Sequence, residues 1–107
     1  MSRLAATLLM SLSLGALAVE VPEFKLVIEN HRFTPDTVAV PAGKKVKLVV
    51  ENKDATAEEF DSHDLNREKV ITGNYSATIF IGPLKPGEYR FKGEFNEKTA
   101  KGVIVAK

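Results

Sequence analysis

The chain runs to 107 residues, with 15 Lys+Arg against 14 Asp+Glu and no cysteine. Near-neutral charge excludes the basic footprint of a nucleic-acid-binding domain. The lack of thiols excludes disulfides, so stability must come from packing alone.

Residues 1–19 open with Arg3 and then run uncharged from Leu4 to Val19, 16 residues, closing on Ala16-Leu17-Ala18. That apolar run is shorter than the about 20 residues a helix needs to cross a bilayer, and it ends in a small-x-small pattern. The pattern predicts a secretory signal peptide over residues 1–18, with a retained anchor as the alternative. Residues 19–107 then form a single domain, with no cysteine to accept a lipid. Both methionines, Met1 and Met10, fall in the leader, so the exported part contains no sulfur. A soft metal ion therefore finds neither thiolate nor thioether there.

Beyond the leader no helical period is sustained. Short runs rich in Val, Ile, Phe and Tyr alternate with Pro, Gly, Asn and Asp. They predict eight strands, at 24–29, 37–40, 45–51, 59–63, 69–71, 76–81, 88–94 and 102–105. In the third, Val46, Leu48 and Val50 share one face because strand side chains repeat every two residues. Pro41-Ala42-Gly43, Thr72-Gly73-Asn74 and Pro83-Leu84-Lys85-Pro86-Gly87 supply turns. The expected class is all-β, a Greek-key β-sandwich.

Gly87-Glu88-Tyr89-Arg90-Phe91-Lys92-Gly93-Glu94-Phe95-Asn96 resembles the Gly-x-Tyr-x-Phe-x-Cys-x-x-His phrase of cupredoxins, in which the cysteine and histidine grip copper. Here Gly93 stands at the cysteine position and Asn96 at the histidine position. Phe33-Thr34-Pro35 followed by Val38-Ala39-Val40-Pro41-Ala42-Gly43 resembles the family's opening. Leu48-Val49-Val50-Glu51-Asn52 resembles the strand before the first copper histidine, and Gly102-Val103-Ile104-Val105 the closing strand. Within that fold, Glu58-Glu59-Phe60-Asp61-Ser62-His63-Asp64-Leu65, Arg67-Glu68-Lys69-Val70-Ile71 and residues 93–102 are similar to EfeO-type cupredoxin-like domains. The resemblance implies a periplasmic metal-binding accessory of bacterial iron uptake. Such a protein assists Fe(II) oxidation or Fe(III) delivery to a high-affinity inner-membrane iron permease and its periplasmic partners. The expected cofactor is iron or Cu(II), not a blue-copper centre.

Glu59 falls, within about one residue, at the place of the first copper histidine; a carboxylate there makes a hard oxygen site. The bland alternative is a solvated acidic loop of Glu58, Glu59, Asp61 and Asp64. His63 shares a face with Asp61 and Glu59 if the segment is extended, and it either ligates or closes a strand end. Glu68 either completes an oxygen-rich site or pairs with Arg67 at the surface. Asn96 is a weak amide ligand, with Glu94 and Glu97 as flanking oxygen donors. His31 closes a turn, with a metal or docking role as the alternative. The expected metal set is thus Glu59, His63, Glu68 and Asn96, with His31, Glu58, Asp61 and Glu94 as additional candidates. Ser62-His63-Asp64 is no hydrolase triad, because consecutive strand residues alternate in direction. Two other functions stay open: a metal-free protein-interaction module, and a periplasmic Cu(II)-binding protein.

Overall fold

The computed structural model describes residues 20–107, which form two packed β-sheets. The strands are β1 Glu23–Glu29, β2 Arg32–Thr34, β3 Thr37–Val40, β4 Val46–Asn52, β5 Glu58–Ser62, β6 Arg67–Ile71, β7 Ser76–Ile81, β8 Gly87–Gly93 and β9 Lys101–Ala106. A 3₁₀ turn, Glu94–Asn96, follows β8 directly. The first sheet has the order β2-β1-β4-β7 and the second β3-β9-β8-β5-β6. Two pairings are parallel, β1 with β4 and β3 with β9; the others are antiparallel. This is the expected all-β sandwich. The expected signal peptide, residues 1–18, lies outside the described residues. No helix among those described is long and apolar enough to cross a membrane.

Alternation decides which faces meet. Leu26 and Ile28 of β1, and Val46, Leu48 and Val50 of β4, turn inward from the first sheet. Val38, Val40, Phe60, Ile71, Phe91 and Ile104 turn inward from the second. Three aromatics hold the centre: Phe60 stacks on Phe91 with ring centroids 5.0 Å apart, and Phe33 meets Phe91 edge-on at 4.9 Å. Such pairs add to plain burial because ring edges and faces carry opposite partial charge. The tyrosine of the Gly-x-Tyr-x-Phe phrase closes its own corner: the Tyr89 hydroxyl donates to the Lys85 carbonyl at 2.7 Å.

Among the described residues there are nine strands where the sequence predicts eight. The extra one, β2, pairs with β1 through a two-residue turn, Asn30-His31, since Glu29 stands opposite Arg32. Both turn residues have positive φ, 56° and 59°, the geometry that fits the twist of a tight hairpin. Asn and His tolerate this region better than most residues, but without glycine the turn signal is faint. Asp54 compensates. Its carboxylate accepts the Asn30 and His31 amides at 2.8 and 3.0 Å, binding the turn from the β4–β5 loop.

Asn52 and Asp54 gather three connections at one end of the sandwich, β1–β2, β4–β5 and β6–β7. The buried Asn52 amide donates to the carbonyls of Thr56 and Ile71 at 2.9 and 3.1 Å, and its oxygen accepts from Asp54 N–H at 3.0 Å. The Asp54 carbonyl accepts from Asn74 N–H at 2.9 Å. The Thr99 hydroxyl donates to the His31 carbonyl at 2.6 Å, tying the β8–β9 connection to the hairpin turn.

Candidate functional site

Phe60 fixes the parity of β5. Because its ring is in the core, Glu58 and Ser62 also turn inward and Glu59 and Asp61 outward. The carboxylate facing the interior is therefore Glu58, one residue before the expected Glu59. It is 2% exposed and accepts three hydrogen bonds. Oε1 takes the amides of Glu59 at 2.9 Å and Phe95 at 2.8 Å, and Oε2 takes the Asn96 side-chain amide at 2.8 Å. Gly93 lies beneath. A Cβ there would stand 2.6 Å from Glu58 Cδ and 2.7 Å from Ala100 Cβ. The 3₁₀ turn closes on the same spot, with the Ala100 amide donating to the Asn96 carbonyl at 2.9 Å.

Glu59, Asp61 and Glu68 leave the opposite side of the second sheet. Asp61 stands directly across from Glu68, and Glu59 across from Val70. Partial burial, and then the carboxylates of Glu68, Asp61, Glu94 and Glu58, hold the Glu59 carboxyl above its usual range. His63 is not on β5, which ends at Ser62; it sits in the following turn and shares a groove with Asp61, Asn66, Arg67 and Glu68. Arg67 does not pair with Glu68: its guanidinium donates to the Phe80 and Asn66 carbonyls, both at 2.9 Å.

The expected four-residue set is thus divided. Asn96 faces Glu58 inside, whereas Glu59, His63 and Glu68 lie outside, because alternation along β5 sends neighbouring carboxylates to opposite faces. Among the described residues no group of three or more His, Cys, Asp or Glu side chains is placed to hold a metal ion. Glu94 and Glu97, the expected flanking oxygen donors, lie beside Lys92, at 3.4 and 3.1 Å. The hydrogen bonds that Lys92 donates to Glu97 and Glu94 hold that ammonium above its usual range. His31 sits in the β1–β2 turn, with Nδ1 3.6 Å from Asp54. Ser62 and Asp64 serve the sheet instead of a triad. Where backbone pairing of β5 with β8 stops at Asp61, the Ser62 hydroxyl donates to the Arg90 carbonyl at 2.7 Å and Asp64 accepts the Arg90 amide at 2.8 Å.

Sequence reasoning missed Asn52 and Asp54 as organisers of this end, since nothing local marks a buried asparagine. The inward position of Glu58 had a signal: once Phe60 is taken as core, period two fixes residue 58.

The fold and the family comparison define the class. The cupredoxin-like domain family model matches residues 2–106, and the chain belongs to that family. A relative in Rickettsia prowazekii (strain Madrid E), named uncharacterized protein RP394, is 46% identical over 83 residues, 78% of this chain and 66% of the relative. The chain therefore spans slightly under two thirds of that relative's length. Auracyanin A, a "blue" copper protein from Chloroflexus aurantiacus, superposes with TM-score 0.71 at 12% identity, covering 82% of this chain and all of that one. The metal-binding domain of the Cu(I)-exporting P-type ATPase CopA from Streptococcus pneumoniae D39 also gives TM-score 0.71, at 14% identity over 86% of this chain and 91% of that one. At such identities the likeness is one of fold.

Copper of the family's kind does not fit the residues present. Gly93 has no side chain, and Glu58 occupies the room a cysteine would need. Both oxygens of Glu58 are already engaged by N–H donors. The Asn96 amide points its nitrogen, not its oxygen, at the position.

Proposed function

We propose that the chain is a periplasmic accessory of bacterial iron uptake that acts as a metal-free interaction module, docking by its loop end onto an inner-membrane permease or an associated periplasmic protein. The observation that carries this reading is the Glu58 carboxylate, buried against Gly93 and hydrogen-bonded by Asn96, the two residues that stand where the family's phrase has its cysteine and histidine. The loop end bears Phe95, 54% exposed, and Tyr75, 67% exposed. Exposed aromatics on a rigid support are the usual anchors of protein interfaces. The tie to iron uptake rests on the EfeO-type phrases at 58–65, 67–71 and 93–102. Export rests on the apolar leader.

One observation favours a second reading, in which iron or Cu(II) binds weakly at the outer carboxylates. Glu59 is crowded by Glu68, Asp61 and Glu94, and a cation would relieve that crowding. One experiment separates the two: complementation of a deletion strain under iron limitation. The docking reading expects Phe95→Ser to fail and Glu59→Ala/His63→Ala to restore growth. The reverse result establishes the metal reading, and no growth phenotype on deletion overturns both.

A further inference from the structure

Glu58 is the one ionisable side chain fully buried among the described residues, and no cation there pairs with it. A lone carboxylate out of water is costly unless donors replace its hydration. Three do so here, from β5 itself, from the Phe95 backbone and from the Asn96 side chain. Two of these places, the start of β5 and residue 96, are ones a metal would join in the copper-bearing pattern; the third donor, the Phe95 amide, belongs to the 3₁₀ turn between Gly93 and Asn96. Glu58 and a side chain at 93 exclude one another, since a Cβ on residue 93 would lie 2.6 Å from Glu58 Cδ.

We infer that the Glu58 carboxylate takes over the loop-organising work of the metal: it is an internal anion that collects N–H donors where the family's ion collects lone pairs. The polarity of the centre is inverted. A cation gathers acceptors, whereas Glu58 gathers donors, so the turn carrying Phe95 is held in place with no ion at all. Asn96 is then the matched partner of the carboxylate, presenting two N–H groups where imidazole would present a lone pair. This inference concerns how the loop is held and stands apart from what docks on it.

The test follows hydrogen exchange of the Phe95 amide, together with melting temperature, in the expressed chain at pH 7. In the wild type, exchange is slow after chelator treatment and unchanged by Cu(II) or Fe(III)-citrate. In Glu58→Ala it accelerates about tenfold or more, as expected on losing a hydrogen bond to a charged acceptor. If that variant fails to fold, Asn96→Asp serves in its place. It sets two carboxylates against each other, which disfavours ionising both, so melting temperature falls. Adding Glu58→Gln to Asn96→Asp restores an amide facing a carboxylate and recovers the loss. Unchanged exchange and melting in Glu58→Ala and Asn96→Asp would overturn the inference. So would a Cu(II)-induced slowing of Phe95 exchange in the wild type that Glu58→Ala abolishes.

Discussion

The Asp54 carboxylate accepts the Asn30 and His31 amides, and Glu59 stands among other carboxylates; the fold treats the two in opposite ways. The His31 amide first, and then the Asn30 amide, hold Asp54 below its ordinary value of 3.8, against the opposing effect of burial. A depressed carboxyl stabilises the fold above its unfolded value and loses that contribution as pH falls through the folded one. Asp54→Asn should therefore cost about 1–3 kcal/mol at pH 7, and the gap to wild type should narrow below about pH 4. Melting temperatures of the two proteins across pH 2–7 check this. Glu59 is raised above 4.5, so its ionisation works against the fold. The penalty is absent below that value, grows as pH rises through the folded value, and is complete above it. Glu59→Gln should raise melting temperature at pH 7 and change nothing in acid; a lower melting temperature at pH 7 would mean that the carboxylate has a cationic partner.

At the scale of strands, most of the sandwich is legible because Val, Ile and Phe alternate with polar residues in β4, β7 and β8. The β1–β2 hairpin is not, because its turn depends on Asp54, 23 and 24 residues away. The candidate site was legible in part. The missing ligands at Gly93 and Asn96 could be read directly from the phrase, whereas matching the first copper histidine to Glu59, one residue past Glu58, exchanged the inner carboxylate for the outer one. Period two makes any such slip a change of face. The same close fit predicts a cost at β9, where a Cβ on Gly102 would overlap the Phe91 ring. Gly102→Ala should destabilise by about 1–3 kcal/mol, the range for overpacked cores, measured by denaturant midpoint. Phe60→Ala, which removes the stacked partner of that ring, should cost about 3–5 kcal/mol.

For the molecule as a whole, the exposed aromatics and the acidic residues lie apart. The loop end presents Phe95 and Tyr75, and the outer face of the second sheet presents the acidic residues. A ligand at 100 times its Kd stabilises a protein by about 2.7 kcal/mol, so thermal melts with saturating Cu(II) are a direct check on the metal-free reading. No shift is expected, and a rise of several degrees that Glu59→Gln removes would transfer the function to the acidic face. The rungs at Ser62 and Asp64 carry a further consequence. Backbone pairing joins β5 to β8 only at Phe60 and Asp61, so beyond that point the seam is laced by two side chains. With Ser62→Ala and Asp64→Ala together the lacing is cut, and the Arg67 hold on the Phe80 carbonyl of β7 is left to tether the His63 end of the β5–β6 hairpin, so amide exchange there should quicken while β1 and β4 stay protected.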